Sequence, residues 1–151
     1  YGEKKIIENS SIRYGILNYV AKYSLANNSY FVTSKCYEHL NDLSLMKKGK
    51  LLRGSKGSKN KFTFEHPVPS NVIADEVIKN IGDKNKIKKI LRETDLVTVI
   101  TYQENDMINK SGFTNEMPEN SFFKKNMFAR YKMSGVEVPT RKIRVYGAIA
   151  R

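Results

Sequence analysis

Between Ser11 and Asn27 the apolar positions recur with helical spacing, placing Ile12, Ile16, Tyr19, Val20 and Tyr23 on one stripe. Ser10 or Ser11 is the expected cap and Asn27-Asn28 the expected stop. A second helix is predicted from a cap at Thr33 or Ser34 toward Leu45, with Cys36, Leu40 and Leu43 facing inward. Two helices joined by the turn Asn27–Tyr30 have the outline of a helix-turn-helix, but that turn lacks a glycine and no other detail supports the motif. Phe62–Val68 alternates apolar and polar residues and predicts a short strand, with Pro67 marking a sheet edge or a bulge.

Ser70 is expected to cap a helix carrying Val72, Ile73, Val77, Ile78 and Ile81, stopped by Gly82. Asp83 then caps a further helix with Ile87, Ile90 and Leu91 inward. Leu96–Tyr102 is the clearest strand in the chain, β-branched and apolar. Thr101 and Glu104 have capping-box spacing, which predicts a short helix to Lys110 ended by Gly112. A loop over Phe113–Asn120 leads to an aromatic-rich helix marked by Phe122, Phe123, Met127, Phe128 and Tyr131 and ending at Gly135. Lys142–Ala150 is the expected final strand. The sum is α+β: a helix-rich single domain over residues 1–151 with a small β-sheet.

Composition narrows the class. At 151 residues the chain has the length of one ordinary domain with a real core. No apolar run approaches the ~18 residues of a membrane span, so no membrane partner is expected. Cys36 is the single cysteine, and His39 and His66 are the only histidines, which excludes a disulfide scaffold and a zinc finger. The first ten residues lack an apolar signal-peptide core. The reducing cytoplasm is the expected compartment, although a disulfide-free secreted toxin would look the same.

Charge changes the picture most. Lys and Arg number 27 against 15 Asp and Glu, giving a net charge of +12 and a pI near 9.7. Self-repulsion of that size points to a polyanionic partner, a nucleic acid, and does not separate RNA from DNA. DNA is favoured over RNA only through the nuclease reading given below, and a genome rich in Lys and Asn codons is the bland alternative. From Lys47 to Lys61 the chain holds seven basic residues, three glycines and no acid. A mobile surface loop is predicted there, with Lys47, Lys48, Lys50, Arg53, Lys56, Lys59 and Lys61 as phosphate contacts. Arg130 is a further candidate contact, beside Tyr131 as a stacking ring, although helical spacing from Met127 and Phe128 also suits a core position. Lys84, Lys86, Lys88 and Lys89 have the simpler reading of a solvated helix face, and His39 that of a surface histidine.

One constellation carries possible chemistry: Glu65-His66-Pro67-Val68-Pro69. Acid-His-x-x-Pro resembles the first motif of the His-Me finger, or HNH, nucleases. That resemblance implies a metal-dependent nuclease in which His66 is the general base for the attacking water and Glu65 is catalytic and a ligand of a divalent metal, Mg²⁺ foremost. It also calls for a later Asn or His: Asn80, as a second metal ligand, and Asn85 lie at suitable separations. The sequence departs from the family in having a helical pattern directly after Pro69, no glycine-rich turn and no later His. EHPVP, VITYQEND, GFTNEMPENS and FARYKMSGV also resemble a set of uncharacterised bacterial proteins of mobile elements, which implies no particular activity.

No Walker loop, dinucleotide fingerprint or Ser-His-Asp arrangement is visible, and LVTVITYQE lacks the acid-x-Lys of a PD-(D/E)xK nuclease. The rival to a DNA nuclease is a non-catalytic nucleic-acid- or ribonucleoprotein-binding protein encoded by a phage or plasmid. A metal-free ribonuclease using His66 with Lys or Arg is a third reading.

Overall fold

Six short strands arranged in the order β2-β3-β6-β1-β5-β4 form one mixed sheet. The computed structural model describes residues 10–121 and 125–147. In chain order the elements are α1 (Ser10–Leu25), β1 (Ser29–Val32), α2 (Ser34–Asp42), β2 (Met46–Lys47), β3 (Lys50–Leu52), a 3₁₀ turn (Arg53–Ser55) and β4 (Phe62–Glu65). There follow α3 (Ser70–Lys79), α4 (Lys84–Glu93), β5 (Thr98–Thr101), α5 (Tyr102–Lys110), α6 (Ala129–Met133) and β6 (Arg141–Tyr146). The α+β expectation holds. Among the described residues, no helix is long and apolar enough to cross a membrane.

Caps explain several boundaries. Thr33 accepts from the Cys36 amide to start α2, and Asp83 accepts from the Lys86 amide to start α4. Thr101 and Glu104 form a complete capping box at the start of α5. Glu104 also accepts from the Thr33 hydroxyl at 3.0 Å, so one buried carboxylate ties together the starts of α2 and α5. Those helices leave the ends of β1 and β5, which pair in parallel.

Four expectations need correction. The turn expected at Asn27–Tyr30 gives way to β1, which separates α1 from α2 and removes the helix-turn-helix. The segment 47–61, expected as a loop, carries β2, β3 and a 3₁₀ turn. Lys48 and Gly49 both have positive φ, 51° and 70°, and make a two-residue hairpin between the paired Lys47 and Lys50. Pro69, with no side-chain hydrogen bond, stands at the cap of α3, and Ser70 is its first helical residue. The aromatic-rich helix is only the short α6; Phe122 and Phe123 lie outside the described residues, as do Ala148–Ala150 of the expected last strand.

The two faces of the sheet are treated differently. On one face Tyr30, Val32, Leu51, Val99, Ile143 and Val145 pack against Cys36 and Leu40 of α2. On the other, Ile100 packs with Ile108 of α5, Tyr131 of α6 and Val136. That second cover reaches the β5–β4 side of the sheet. A separate cluster joins α1, α3 and α4 through Val20, Ile73, Val77 and Ile90. Tyr19, expected in the buried stripe of α1, and Leu43, expected inside α2, are both exposed.

Candidate functional site

Glu65 ends β4, the strand at the edge of the sheet. Its Cα partner across the ladder is Thr98, so its side chain lies on the face covered by α6. There its two oxygens are both engaged: Oε1 by the Arg130 guanidinium and Oε2 by the Tyr131 hydroxyl. Burial pushes the Glu65 carboxyl up from its ordinary value, while Arg130 and Tyr131 pull against that rise. The Tyr131 hydroxyl is raised well above its own, by burial first and by Glu65 second.

Arg130 is 2% exposed. Beyond Glu65 its guanidinium donates to the carbonyls of Pro67 at 3.0 Å, His66 at 2.5 Å and Phe113 at 2.5 Å. A cation so enclosed is no phosphate contact, which corrects that expectation: Arg130 stitches α6 to the chain leaving β4. His66, the next residue after Glu65, is partly buried, and its Nε2 lies 3.1 Å from the Ala21 carbonyl. A carbonyl only accepts, so Nε2 carries the proton. Burial is the first cause of a lowered His66 pKa; Arg130 and Lys56 add to the lowering and the Ala21 bond opposes it.

The donor set does not fit the divalent ion that the nuclease resemblance implies. Both Glu65 oxygens already accept hydrogen bonds. Asn80 closes the last turn of α3, its amide donating to the Glu76 carbonyl at 2.7 Å. Asn85 is exposed on α4. Among the described residues, no three His, Cys, Asp or Glu side chains gather to hold a metal.

The cations of 47–61 are dispersed. Arg53 is 5% exposed; it stacks over the Tyr30 ring at 5.2 Å and donates to the carbonyls of Leu25 and Asn27. It is a structural cation, and its expected phosphate role is corrected. Lys47, Lys48 and Lys50 lie on the β2–β3 edge of the sheet, whereas Lys61 adjoins β4 on the opposite edge. Lys56 and Lys59 are exposed in the crossing between them, Lys56 lying 5.4 Å from the Phe64 ring.

Lys50 belongs to another grouping. In β6 the buried Ile143 and Val145 alternate with exposed Lys142, Arg144 and Tyr146. Lys142 is the cross-strand partner of Phe31, and Arg144 partners both Ser29 and Lys50. These side chains share the face turned away from α2. They line a cleft of about 870 Å³ together with Asn27, Asn28, Asp95–Val97 and Gly147. The Lys142 ammonium sits 4.6 Å from the centre of the Phe31 ring, and the Phe31 and Phe128 rings pack in a T shape with centroids 5.6 Å apart. Among the described residues neither Lys50, Lys142 nor Arg144 has a carboxylate partner within salt-bridge distance. Gly147, with φ +104°, lets the chain turn close over Leu52: a Cβ there would lie 3.3 Å from the Leu52 side chain.

The sequence marks Lys50 as a candidate contact but not Lys142, Arg144, Tyr146 or Phe31. The alternation KIRVY was the available signal, since one face of such a strand is buried and the other is left charged. No family model, curated protein or solved structure matches this chain.

Proposed function

We propose that this protein binds nucleic acid, without catalysis, through the open half of its sheet, with Lys50, Lys142 and Arg144 meeting phosphates. The observation that carries the reading is the convergence on one cleft, beside Tyr146 and Phe31, of three cations that have no carboxylate partner among the described residues. A net charge of +12 supplies the long-range attraction. Structural cations would be expected to meet carboxylates or backbone carbonyls, as Arg53 and Arg130 do.

The test is a binding series over rising salt with wild type and a Lys50→Ala/Lys142→Ala/Arg144→Ala variant, on DNA and RNA. Three lost phosphate contacts should flatten the slope of log affinity against log salt by about 2 to 3 and weaken binding at least ~10-fold near 50 mM salt. Equal binding by the variant and wild type would remove the cleft as the footprint.

A metal-dependent nuclease with His66 as base is the second reading. One observation favours it: burial keeps the imidazole neutral, as a base must be. Against it stand the engaged oxygens of Glu65 and the Nε2 bond to Ala21. Incubation of plasmid DNA and total RNA with Mg²⁺ separates the two readings: cleavage by wild type that His66→Ala abolishes would restore the nuclease.

A further inference from the structure

The concavity and the exposed ring suggest which nucleic acid enters. Duplex DNA is read by elements that project into its grooves, a helix or a ribbon. Here the cations line a hollow, and Lys142 lies close against the Phe31 ring at the sheet surface. A rigid duplex meets only the rim of such a hollow, whereas an unpaired base with its phosphate can enter it.

Tyr146 is 42% exposed. It follows Lys142 and Arg144 at the two-residue spacing that puts all three on one face of β6. Successive positions of this kind are about 6.6 Å apart along a strand. A ring in line with two cations is the arrangement by which sheet surfaces hold unpaired bases, since every base has a face to stack whatever its identity. Asp95 adds a second polarity. It is the one carboxylate among the residues that line the cleft. A carboxylate repels phosphate and accepts from the amino group of a base, so bases and not the backbone belong beside it.

We infer that the cleft takes single-stranded nucleic acid, with one base stacked on Tyr146 and the flanking phosphates on Lys142 and Arg144. This rests on the nucleic-acid reading above and narrows it to unpaired strands.

Fluorescence anisotropy on the full chain, with a labelled mixed-sequence 12-mer as single strand and as blunt duplex, each in DNA and RNA form, tests it. The single strand should bind at least ~10-fold tighter than its duplex, in one or both sugars. Tyr146→Ala should lose about 5- to 100-fold on the single strand and leave duplex binding unchanged, while Tyr146→Phe, which keeps the ring, should match wild type. Thermal melts of both variants confirm that they are folded. Equal or tighter duplex binding, or an unaffected Tyr146→Ala, overturns the single-strand inference and leaves nucleic-acid binding standing. Absence of binding to all four probes overturns both.

Discussion

The same face of the sheet has two halves, and they handle charge in opposite ways. Toward β4, Glu65 is covered by α6 and its charge is met by Arg130 and Tyr131. Toward β3 and β6, no helix among the described residues covers Lys50, Lys142 and Arg144, and no described carboxylate pairs with them. Position on a strand is the same in both cases; cover is what differs. Under cover an ionised group must be neutralised and hydrogen-bonded, or its desolvation destabilises the fold. In the open half each cation keeps its water and remains available to an anion. The Glu-His-x-x-Pro segment thus lies where side chains are used up holding the chain together.

Mutation can break this contrast at several points. The largest effect on stability is expected from Arg130→Ala, which leaves the Glu65 carboxylate and three backbone carbonyls without their donor. With Glu65 Oε2 still held by Tyr131 and only Oε1 losing its donor, it should cost about 3–5 kcal/mol in urea unfolding. An Arg130→Met/Glu65→Gln double variant should recover part of that loss, because the unpaired charge is gone. A cost below ~1 kcal/mol for Arg130→Ala would show that the covered half does not depend on its ion pair.

His66→Ala comes next, with an expected loss of about 1–3 kcal/mol from the broken bond to Ala21. Its pH dependence is the sharper measurement. The folded imidazole resists protonation, whereas in the unfolded chain it takes a proton near the ordinary value of 6.5. The unfolded state therefore binds more protons as pH falls through 6.5. The contribution of His66 is fully present above that pH and is lost below it, toward the folded value. Glu65 acts in the other sense: its raised value lowers stability as pH climbs above 4.5. The difference between wild type and His66→Ala isolates the histidine, and a difference constant from pH 7.5 to 5 would contradict its neutral burial.

The smallest stability effect belongs to the open half. Lys142→Ala/Arg144→Ala should change unfolding free energy by less than ~0.5 kcal/mol while weakening nucleic-acid binding at least ~10-fold. Large destabilisation without a change in binding would mean that these cations, like Arg53, serve the fold.

Much of the fold was legible because its signals are local. Thr33, Asp83 and the Thr101–Glu104 pair announce their helices by side chain-to-amide bonds within three residues. β1 was not legible: Ser29–Val32 is only four residues long and lies between a turn and a cap, with no room for alternation to register. The β2–β3 hairpin was hidden by its turn, since Lys48 adopts a positive φ without the Asn or Asp that usually marks it. Arg53 and Arg130 illustrate a different limit. A cation in sequence carries no mark of burial, which is decided by carbonyls distant along the chain, such as Phe113 for Arg130. The candidate cleft failed to show for the same reason, as it is assembled by register between β3, β6 and β1.

The place of β6 in the strand order has a consequence for how the chain acquires its structure. Last of the six strands to be synthesised, it lies between β3 and β1 and is hydrogen-bonded to both. Until Arg141–Tyr146 arrives, β2–β3 is an isolated hairpin, marginal in water, and β1 can pair only with β5. The sheet therefore closes in a late step dominated by contacts between distant segments, which slows folding and leaves two strand edges open beforehand. A chain cut before Arg141 should remain unable to complete the sheet, and adding Arg141–Tyr146 as a separate peptide tests whether that one strand is enough to finish it.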